Sequence, residues 1–238
     1  MEQRYFYVSP NNICGNEVIV ENEEYYHLYK VLRKKKNDLI HIVDGKGNDY
    51  LVRIEEIKNG KAICKILEKK FMPNETKSFF ALGIGIIKGE RMDMIFEKGT
   101  ELGVSAFYPI LSERVVVNPK NLKIERWRKI VLNAMKQSRR SILPYVYDPL
   151  PLNQFLKETK NFGTKILLDE EGENSFEIKE NSEKILIVAG PEGSFTKDEK
   201  KLFEQEGFLK VKMGKRIMRT ETAIIAGLSI FVFLKKEI

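Results

Sequence analysis

Apolar and polar residues alternate through residues 1–70 of the chain, and this pattern predicts short β-strands. The alternation falls into five segments, at residues 4–8, 17–20, 39–43, 50–57 and 61–67. Polar turn sequences separate them, and the last two flank Asn59-Gly60, which suits a type I′ hairpin because both turn residues must accept a positive φ. We therefore predict a compact β-rich domain in this part of the chain.

A helix is predicted to interrupt these strands, because apolar residues recur at helical spacing at Tyr25, Leu28, Tyr29 and Leu32. The helix is followed directly by a basic run at residues 33–36. Such a run is typical of a solvated helix end, where the macrodipole favours positive charge. It is equally typical of a surface that binds the phosphates of a nucleic acid, and the pattern alone leaves both interpretations open.

The pattern changes after residues 71–77, which contain Pro73 and several polar residues and are predicted to link two domains. From there strand-like and helix-like segments alternate. The predicted strands are residues 79–87, 107–111, 165–168, 185–189 and 209–212, and the predicted helices are residues 90–102, 124–137, 152–157, 196–206 and 220–234. Strands that alternate with helices predict a mostly parallel sheet covered on both faces.

Composition narrows the possible functions of the chain. A chain of 238 residues with 42% hydrophobic and 32% charged residues fits one large or two small globular domains. The net charge of +7 favours a polyanionic partner, although surplus lysines also simply solvate a surface. Cys14 and Cys64 are far apart and outside any metal-binding motif, so we expect no metal site, no disulfide and a cytoplasmic location. With no apolar leader and no long apolar run, neither secretion nor a membrane span is expected.

A group of glycines near the start of the second predicted domain could suggest a nucleotide-binding loop, but the spacing of these glycines does not support it. Residues 83–89 contain several glycines, but they lie within the apolar strand rather than after it, and no dinucleotide or P-loop motif is met. Packing within the strand explains them better.

Two other glycine-bearing turns lie near the end of the chain, each between an apolar run and a helical pattern. They occupy residues 190–195 and 213–219. A turn of this kind leaves backbone N–H and C=O groups free to bind a ligand. Only one capped helix separates the two turns, so we predict that together they form one site. Arg216, Arg219 and Glu221 are concentrated at the second turn, which favours binding over a purely structural role.

Several ordered motifs resemble the RsmE family, the 16S rRNA (uracil-N3)-methyltransferases of the SPOUT class. The motifs are His27-Leu28-x-x-Val31-Leu32-Arg33, Val43-Asp44-Gly45, Lys88 to Asp93, Glu97 to Val104, Pro109 to Arg114, Gln137-Ser138-x-Arg140, Gly190-Pro191-Glu192-Gly193 and Met213 to Ala223. They cover essentially the whole chain. Ser194 departs from the pattern, because the family commonly has a second glycine there.

This resemblance implies an α/β protein with two domains. Residues 1–72 would form a PUA-like RNA-binding β-barrel, and residues 73–238 a SPOUT methyltransferase domain with a mostly parallel sheet and a deep trefoil knot. The implied cofactor is S-adenosyl-L-methionine, and the implied assembly is a homodimer that acts on 16S rRNA or the small ribosomal subunit. The cofactor-binding residues are predicted to be Leu168, Glu170, Gly190, Gly193, Met213, Gly214, Ile217, Met218, Thr222 and Ala223.

The remaining predicted site residues concern catalysis and RNA. We predict that Arg219 stabilises the negative charge that develops on uracil, and that Glu221 or Glu192 orients the base or accepts its proton. The predicted RNA contacts are Arg33, Lys34, Arg114, Arg139 and Arg140. Two alternatives remain: a non-catalytic rRNA-binding assembly factor that kept the fold, and a related methyltransferase that acts on another RNA atom.

Overall fold

A computed structural model describes residues 5–115, 122–173 and 183–237 of the chain. The chain divides into two compact units, one made of Met1–Glu75 with Leu132–Leu143 and the other of Thr76–Val131 with Pro144–Ile238. Each unit has its own sheet, so the two are described separately.

The first unit is built on a six-stranded sheet in the order β1-β4-β5-β6-β3-β2. Its strands are β1 (Tyr5–Tyr7), β2 (Ile13–Cys14), β3 (Glu17–Val20), β4 (Leu39–Val43), β5 (Asn48–Lys58) and β6 (Lys61–Phe71). β1 pairs parallel with β4, whereas the other neighbours are antiparallel. Asn59 and Gly60, which join β5 to β6, have φ of 51° and 75°, so both residues have the positive φ expected of the predicted turn.

One short helical segment crosses this unit, as the apolar spacing predicted. It consists of α1 (Asn22–Tyr26) and a π-helical turn at His27–Val31, where the amide of Leu32 donates to the carbonyl of His27. Leu28 is fully buried and joins the core of the unit. The other members of that core come mainly from alternate strand positions: Phe6, Val8, Val18, Val20, Ile40, Ile42, Tyr50, Val52, Ile54, Ala62 and Cys64.

Part of the predicted linker is held firmly inside the first unit. The carboxylate of Glu75 accepts hydrogen bonds from the guanidinium of Arg140 and from the amides of Ser141 and Ile142. The side chains of Glu75 and Arg140 are 2% and 4% exposed, so the two charges form a buried ion pair. Glu75 therefore binds residues 140–142 instead of lying in a free linker.

The second unit contains a parallel sheet, which confirms the α/β prediction. Its strands are β7 (Phe79–Gly85), β8 (Val104–Leu111), β9 (Tyr145–Val146), β10 (Leu150–Pro151), β11 (Thr164–Glu173), β12 (Lys184–Ala189) and β13 (Leu209–Val211). The order is β10-β8-β7-β12-β11-β13, with β9 paired to β8, and every pairing among these strands is parallel. The central strands are almost fully buried, as expected of a sheet covered on both faces.

Five helices follow the predicted segments closely. They are α2 (Glu90–Glu101), α3 (Ile124–Gln137), α4 (Leu152–Glu158), α5 (Lys197–Gln205) and α6 (Thr220–Leu234). α5 begins with a capping box in which Thr196 accepts from the amide of Glu199 and the Glu199 carboxylate accepts from the amide of Thr196. In the part of the chain that the structure describes, no helix is long and apolar enough to cross a membrane.

Candidate active site

Three neighbouring strands of the parallel sheet come level at the edge that carries the candidate site: β12 and β13 end there, whereas β11 continues to Glu173. Leu168 of β11 is in register with Ala189 of β12 and with Val211 of β13. Ligands of open α/β sheets bind outside the carboxyl ends of the strands, so the segments that leave these three positions are suitably placed. The two glycine turns predicted from the sequence are two of them, and the structure brings them together around one cleft.

The cleft has a volume of about 730 Å³ and lies entirely within the second unit. It is lined by three chain segments and one residue of α2. The lining residues are Arg91, Leu168, Asp169, Glu170, Glu171, Ala189, Gly190, Pro191, Glu192, Gly193, Ser194, Lys212, Met213, Gly214, Lys215, Arg216, Ile217, Met218, Arg219, Thr220 and Ala223. A cleft of this size accommodates a molecule the size of a nucleoside cofactor.

Close packing fixes the first turn, residues 190–195, against the sheet. A Cβ atom on Gly85, the last residue of β7, would lie 2.4 Å from the backbone nitrogen of Pro191. Only glycine allows this approach, so the glycine-rich strand serves packing, as the sequence predicted. Thr220 Oγ1 at the start of α6 donates to the carbonyl of Gly190 over 2.9 Å, which connects the two turns.

Two arginines hold the outer side of the first turn. The guanidinium of Arg91 in α2 forms an ion pair with Glu192, and Arg114, which follows β8, donates to the carbonyl of Gly193. Neither contact could be predicted from spacing, since α2 and β8 are distant from the turn in sequence. The structure thus assigns Arg91 a place in the site that the sequence analysis missed.

A buried charged cluster lies beside the same turn. Asp169, whose side chain is fully buried, accepts from Lys200 Nζ in α5 at 2.9 Å and from Ser194 Oγ at 3.3 Å. Lys200 also donates to Glu171. Burial disfavours the charged form of Lys200, but these hydrogen bonds outweigh it and raise its pKa. Ser194 has a φ of 63°, so this serine adopts a glycine-like backbone conformation and adds a hydrogen bond.

Sequence reasoning missed this cluster. Asp169 directly follows the apolar run of β11, and a polar residue at the carboxyl end of a parallel strand is a recognisable signal. Lys200 gave no such signal, because a lysine in a surface helix is ordinarily solvated.

The second turn is much more exposed. Gly214, Lys215, Arg216 and Arg219 are exposed, and the Ile217 side chain has 86% of its surface in contact with solvent. In the parts of the chain described here, Lys215, Arg216 and Arg219 have no carboxylate partner within ion-pair distance. This turn therefore offers a ligand the exposed side chain of Ile217 and three cations that have no acidic partner among the described residues.

Most of the predicted cofactor-binding residues line the cleft. They are Leu168, Glu170, Gly190, Gly193, Met213, Gly214, Ile217, Met218 and Ala223. Thr222 is different: it is exposed and does not line the cleft, because Thr220 and Ala223, three residues apart, occupy the helix face that does. The prediction for Thr222 is therefore corrected.

The three predicted catalytic residues lie in different environments. Arg219 and Glu192 line the cleft and are exposed, although Glu192 is paired with Arg91. Glu221 differs from both, because it is only 7% exposed and does not line the cleft. Its Oε2 atom has no hydrogen-bond partner among the described residues, and its position in the first turn of α6 lets the helix dipole stabilise the carboxylate.

The predicted RNA-contacting residues differ in their exposure to solvent. Arg33, Arg114 and Arg139 are exposed and Lys34 is half-buried. Arg140 is 3% exposed and bound to Glu75, so its guanidinium does not face solvent and its predicted RNA contact is corrected. The sequence could not distinguish Arg139 from Arg140, since only the partner from residue 75 separates their roles.

Comparison with known proteins identifies the family. The family model described as the RNA methyltransferase domain matches residues 73–232, and the RNA methyltransferase PUA domain matches residues 20–67. The chain belongs to the RNA methyltransferase family. These matches also confirm the predicted PUA-like character of the N-terminal part of this methyltransferase.

Relatives and solved structures agree with this assignment. The methyltransferase is 34% identical to the ribosomal RNA small subunit methyltransferase E of Synechocystis, over 91% of this chain and 73% of that protein. It is 31% identical to the protein of the same name from Aquifex aeolicus, over 92% and 95% of the two chains. A crystal structure of ribosomal RNA small subunit methyltransferase E from Neisseria gonorrhoeae bound to S-adenosyl methionine superposes with a TM-score of 0.90, at 32% identity and over 98% of both chains. A Legionella pneumophila protein in complex with its bound cofactor SAM gives a TM-score of 0.88 at 27% identity, again over 98% of both chains.

Proposed function

We propose that this methyltransferase uses S-adenosyl-L-methionine to methylate N3 of a specific uridine in 16S rRNA. The observation that carries the proposal is the single cleft that the two glycine turns form at the carboxyl edge of the sheet. The relatives named as small-subunit rRNA methyltransferases, and the similar structure that holds the cofactor, support the same conclusion. The target atom rests on the family resemblance.

The residues of the cleft fit such a cofactor. The backbone groups of Gly190, Gly193 and Gly214 suit hydrogen bonding to an adenine and a ribose, and the side chains of Leu168 and Ile217 suit packing against a ring. The cleft also carries both carboxylates and cations, which match the ammonium, sulfonium and carboxylate groups of S-adenosylmethionine. Bound there, the cofactor supplies an activated methyl group.

The protein must present uracil N3 to that methyl group and remove the N3 proton, because a neutral imide is a poor nucleophile. Orientation contributes up to about 7–11 kcal/mol to such a reaction, and a general base about 10²–10⁴-fold in rate. Arg219 is exposed in the cleft and is proposed to stabilise the negative charge on the uracil oxygens. Glu192 also lines the cleft and is the better-placed proton acceptor, whereas Glu221 is buried outside it and is proposed to orient the start of α6.

The remaining parts of the proposal concern RNA binding and assembly. N3 lies on the Watson–Crick edge, so the uridine must be unpaired or flipped out. Residues 1–72 are proposed to bind RNA and residues 73–238 to carry out methyl transfer, with a trefoil knot in the second domain. Ribosomal RNA as substrate implies a cytoplasmic location. A homodimer is supported by three apolar side chains that α6 exposes: Ile230, Phe233 and Leu234 are 42%, 70% and 52% exposed.

The decisive experiment is mass spectrometry of nucleosides from small subunits or 16S rRNA incubated with the protein and S-adenosylmethionine. We expect 3-methyluridine with the wild type and a rate loss of at least about 100-fold for Arg219→Ala. Arg126→Ala is the control, because Arg126 is an exposed arginine of the same unit that binds Asp93 and lies outside the cleft.

Other outcomes select the alternatives. A different methylated nucleoside would assign another target atom. No methylation, together with no calorimetric binding of S-adenosylmethionine, would favour a non-catalytic assembly factor. A near-normal rate for Arg219→Ala would refute the role of Arg219, and equal rates for Glu192→Gln and wild type would refute that of Glu192.

A further inference from the structure

The helical segment of the first unit exposes aromatic rings on its surface. Tyr26, the last residue of α1, is 62% exposed, and Tyr29 in the π-helical turn is 41% exposed. The segment is anchored on its other face by Leu28, which is fully buried in the core. The tyrosines are therefore not needed to hold the segment in place. Single-turn π-helices often occur at functional sites, and this one carries the exposed Tyr29.

The two exposed tyrosines differ in their contacts. Tyr29 stacks on Tyr25 with ring centroids 5.6 Å apart and an interplanar angle of 17°, and Lys30 Nζ lies 5.2 Å from the Tyr29 ring centroid. Tyr26 has no ring contact with any residue that the structure describes. Its ring is thus open to solvent, on the same helical segment as the stacked pair.

Five cations follow this open ring closely in the sequence. Lys30, Arg33, Lys34, Lys35 and Lys36 lie within seven residues, and in the described chain none of them has a carboxylate within ion-pair distance. Six other cations of the same unit are paired with acids, namely Arg53, Lys58, Lys61, Lys70, Lys136 and Arg140, whereas Lys46, Lys65, Lys69 and Arg139 have no such pair among the described residues. The longest run of uncompensated charge in this unit therefore follows the exposed tyrosines directly in the sequence.

Exposed rings interleaved with unpaired cations match the chemistry of single-stranded nucleic acid. An unpaired base stacks on an aromatic ring, and the phosphates on either side bind lysine and arginine. A duplex keeps its bases stacked on one another and offers the cations only its phosphates. An acidic protein would also satisfy the charges, but a flat ring flanked by a negative charge at every step of the chain is a feature of nucleic acid.

We propose that residues 26–36 form a binding site for an unpaired RNA segment, in which a base stacks on Tyr26 and the adjoining phosphates contact Lys30 and residues 33–36. This inference rests on the proposed RNA-modifying function and extends it. It names unpaired RNA as the form recognised by the first unit, and it assigns the contact to a specific ring.

Affinity for a short oligouridylate and for an RNA duplex of equal length, measured by fluorescence anisotropy, tests the site. Tyr26→Ala is expected to weaken binding of the oligouridylate about tenfold and to leave duplex binding unchanged. Tyr26→Phe is expected to bind like wild type, because stacking needs the ring and not the hydroxyl. Tyr145→Ala is the matched control, since Tyr145 is 60% exposed in the other unit.

The charged part of the site has a separate signature. Replacing Lys34, Lys35 and Lys36 by glutamine is expected to weaken the binding of both RNAs. It should also reduce the slope of log affinity against log salt by about 2 for the single strand. Tyr26→Ala is expected to leave that slope unchanged. Thermal unfolding of each variant checks that the exposed substitutions do not alter folding.

Several results would overturn the stacking site. They are an equal loss for single strand and duplex in Tyr26→Ala, a Tyr26→Phe variant as weak as Tyr26→Ala, or a change in oligomeric state without a change in oligouridylate affinity, which would indicate a protein contact. Methylation of small subunits by the wild type is measured in parallel. If methylation proceeds and Tyr26→Ala binds oligouridylate normally, only the stacking site fails; if the wild type does not methylate rRNA, the proposed function fails instead.

Discussion

The two turns that line the cleft are built in opposite ways. The first, residues 190–195, packs its backbone on Gly85 and is bonded to Arg114, Thr220 and the buried Asp169. The second, residues 213–219, exposes Ile217 and carries cations that have no acidic partner among the described residues.

The first turn forms one wall of the cleft and the second turn forms the other. The difference between them indicates which wall is held by the protein itself and which depends on the ligand. A wall whose contacts are already made within the protein is preorganised, so it presents fixed hydrogen-bonding groups at little cost on binding. A wall with an exposed apolar side chain and unpaired charges gains its contacts from the ligand. We therefore expect substitutions at the first wall to affect folding and those at the second to affect binding.

The largest expected effect on stability concerns the buried Asp169 carboxylate beside the first wall. Lys200→Met would leave Asp169 buried without its cationic partner, which costs about 3–5 kcal/mol in the free energy of unfolding. Urea denaturation at neutral pH measures it. The neighbouring Lys201→Met is the control, because Lys201 is 69% exposed and its pair with Asp198 contributes under about 1 kcal/mol.

The Lys200–Asp169 ion pair also makes the free energy of unfolding depend on pH. The pKa of Lys200 is raised in the folded protein, so its stabilising contribution is complete below the ordinary lysine value of 10.5 and is lost as pH rises through the folded value. The stability gap between wild type and Lys200→Met should therefore narrow in alkaline solution. A gap that stays constant up to pH 11 would contradict the assignment.

A matched pair of glycine substitutions compares the walls directly. Gly85→Ala would place a Cβ against the Pro191 backbone, and such overpacking costs about 1–3 kcal/mol while displacing the first wall. Gly214→Ala meets no atom within 4 Å and is penalised only by its φ of 93°, which costs about 1 kcal/mol. Denaturation should show a larger loss of stability for Gly85→Ala than for Gly214→Ala, and calorimetric titration should show a larger loss of S-adenosylmethionine affinity. The reverse order would show that the second wall is the more constrained.

The smallest effect on stability is expected at the exposed end of the second wall. Ile217→Ser should change the unfolding free energy by less than about 0.5 kcal/mol, because the side chain is already in water. It should nevertheless weaken cofactor binding several-fold, since the ligand would cover that side chain. Leu209→Ser, at a 52% exposed position outside the cleft, should alter neither quantity. If Ile217→Ser binds the cofactor like wild type, the second wall does not close on it through this side chain.

Local patterns were sufficient for most of the fold. Apolar runs predicted the central strands, and the predicted capped helix is α5, whose cap is formed by Thr196 and Glu199, because these features depend on neighbours a few residues apart. The π-helical turn at His27–Val31 was not predictable, since α and π turns share nearly the same apolar spacing.

The candidate site was predictable only in part. The two glycine turns contain six of the ten predicted cofactor-binding positions, and all six line the cleft, because a turn that follows a parallel strand falls at the ligand-binding edge of the sheet. The side-chain orientations of Thr222 and Glu221 were not predictable, because they depend on how α6 is rotated against the sheet.

The sequence by itself determined the elements of this protein, its two glycine turns, its basic character and, through ordered motifs, its family. Only the tertiary structure decided that Arg140 is buried while Arg139 is exposed, and that Lys200 and Ser194 meet at Asp169. The physical reason is the separation along the chain over which each kind of interaction acts. Hydrogen bonding within a turn or helix acts between near neighbours in the chain, whereas burial and ion pairing depend on partners such as Glu75 and Asp169 that the fold brings from tens of residues away.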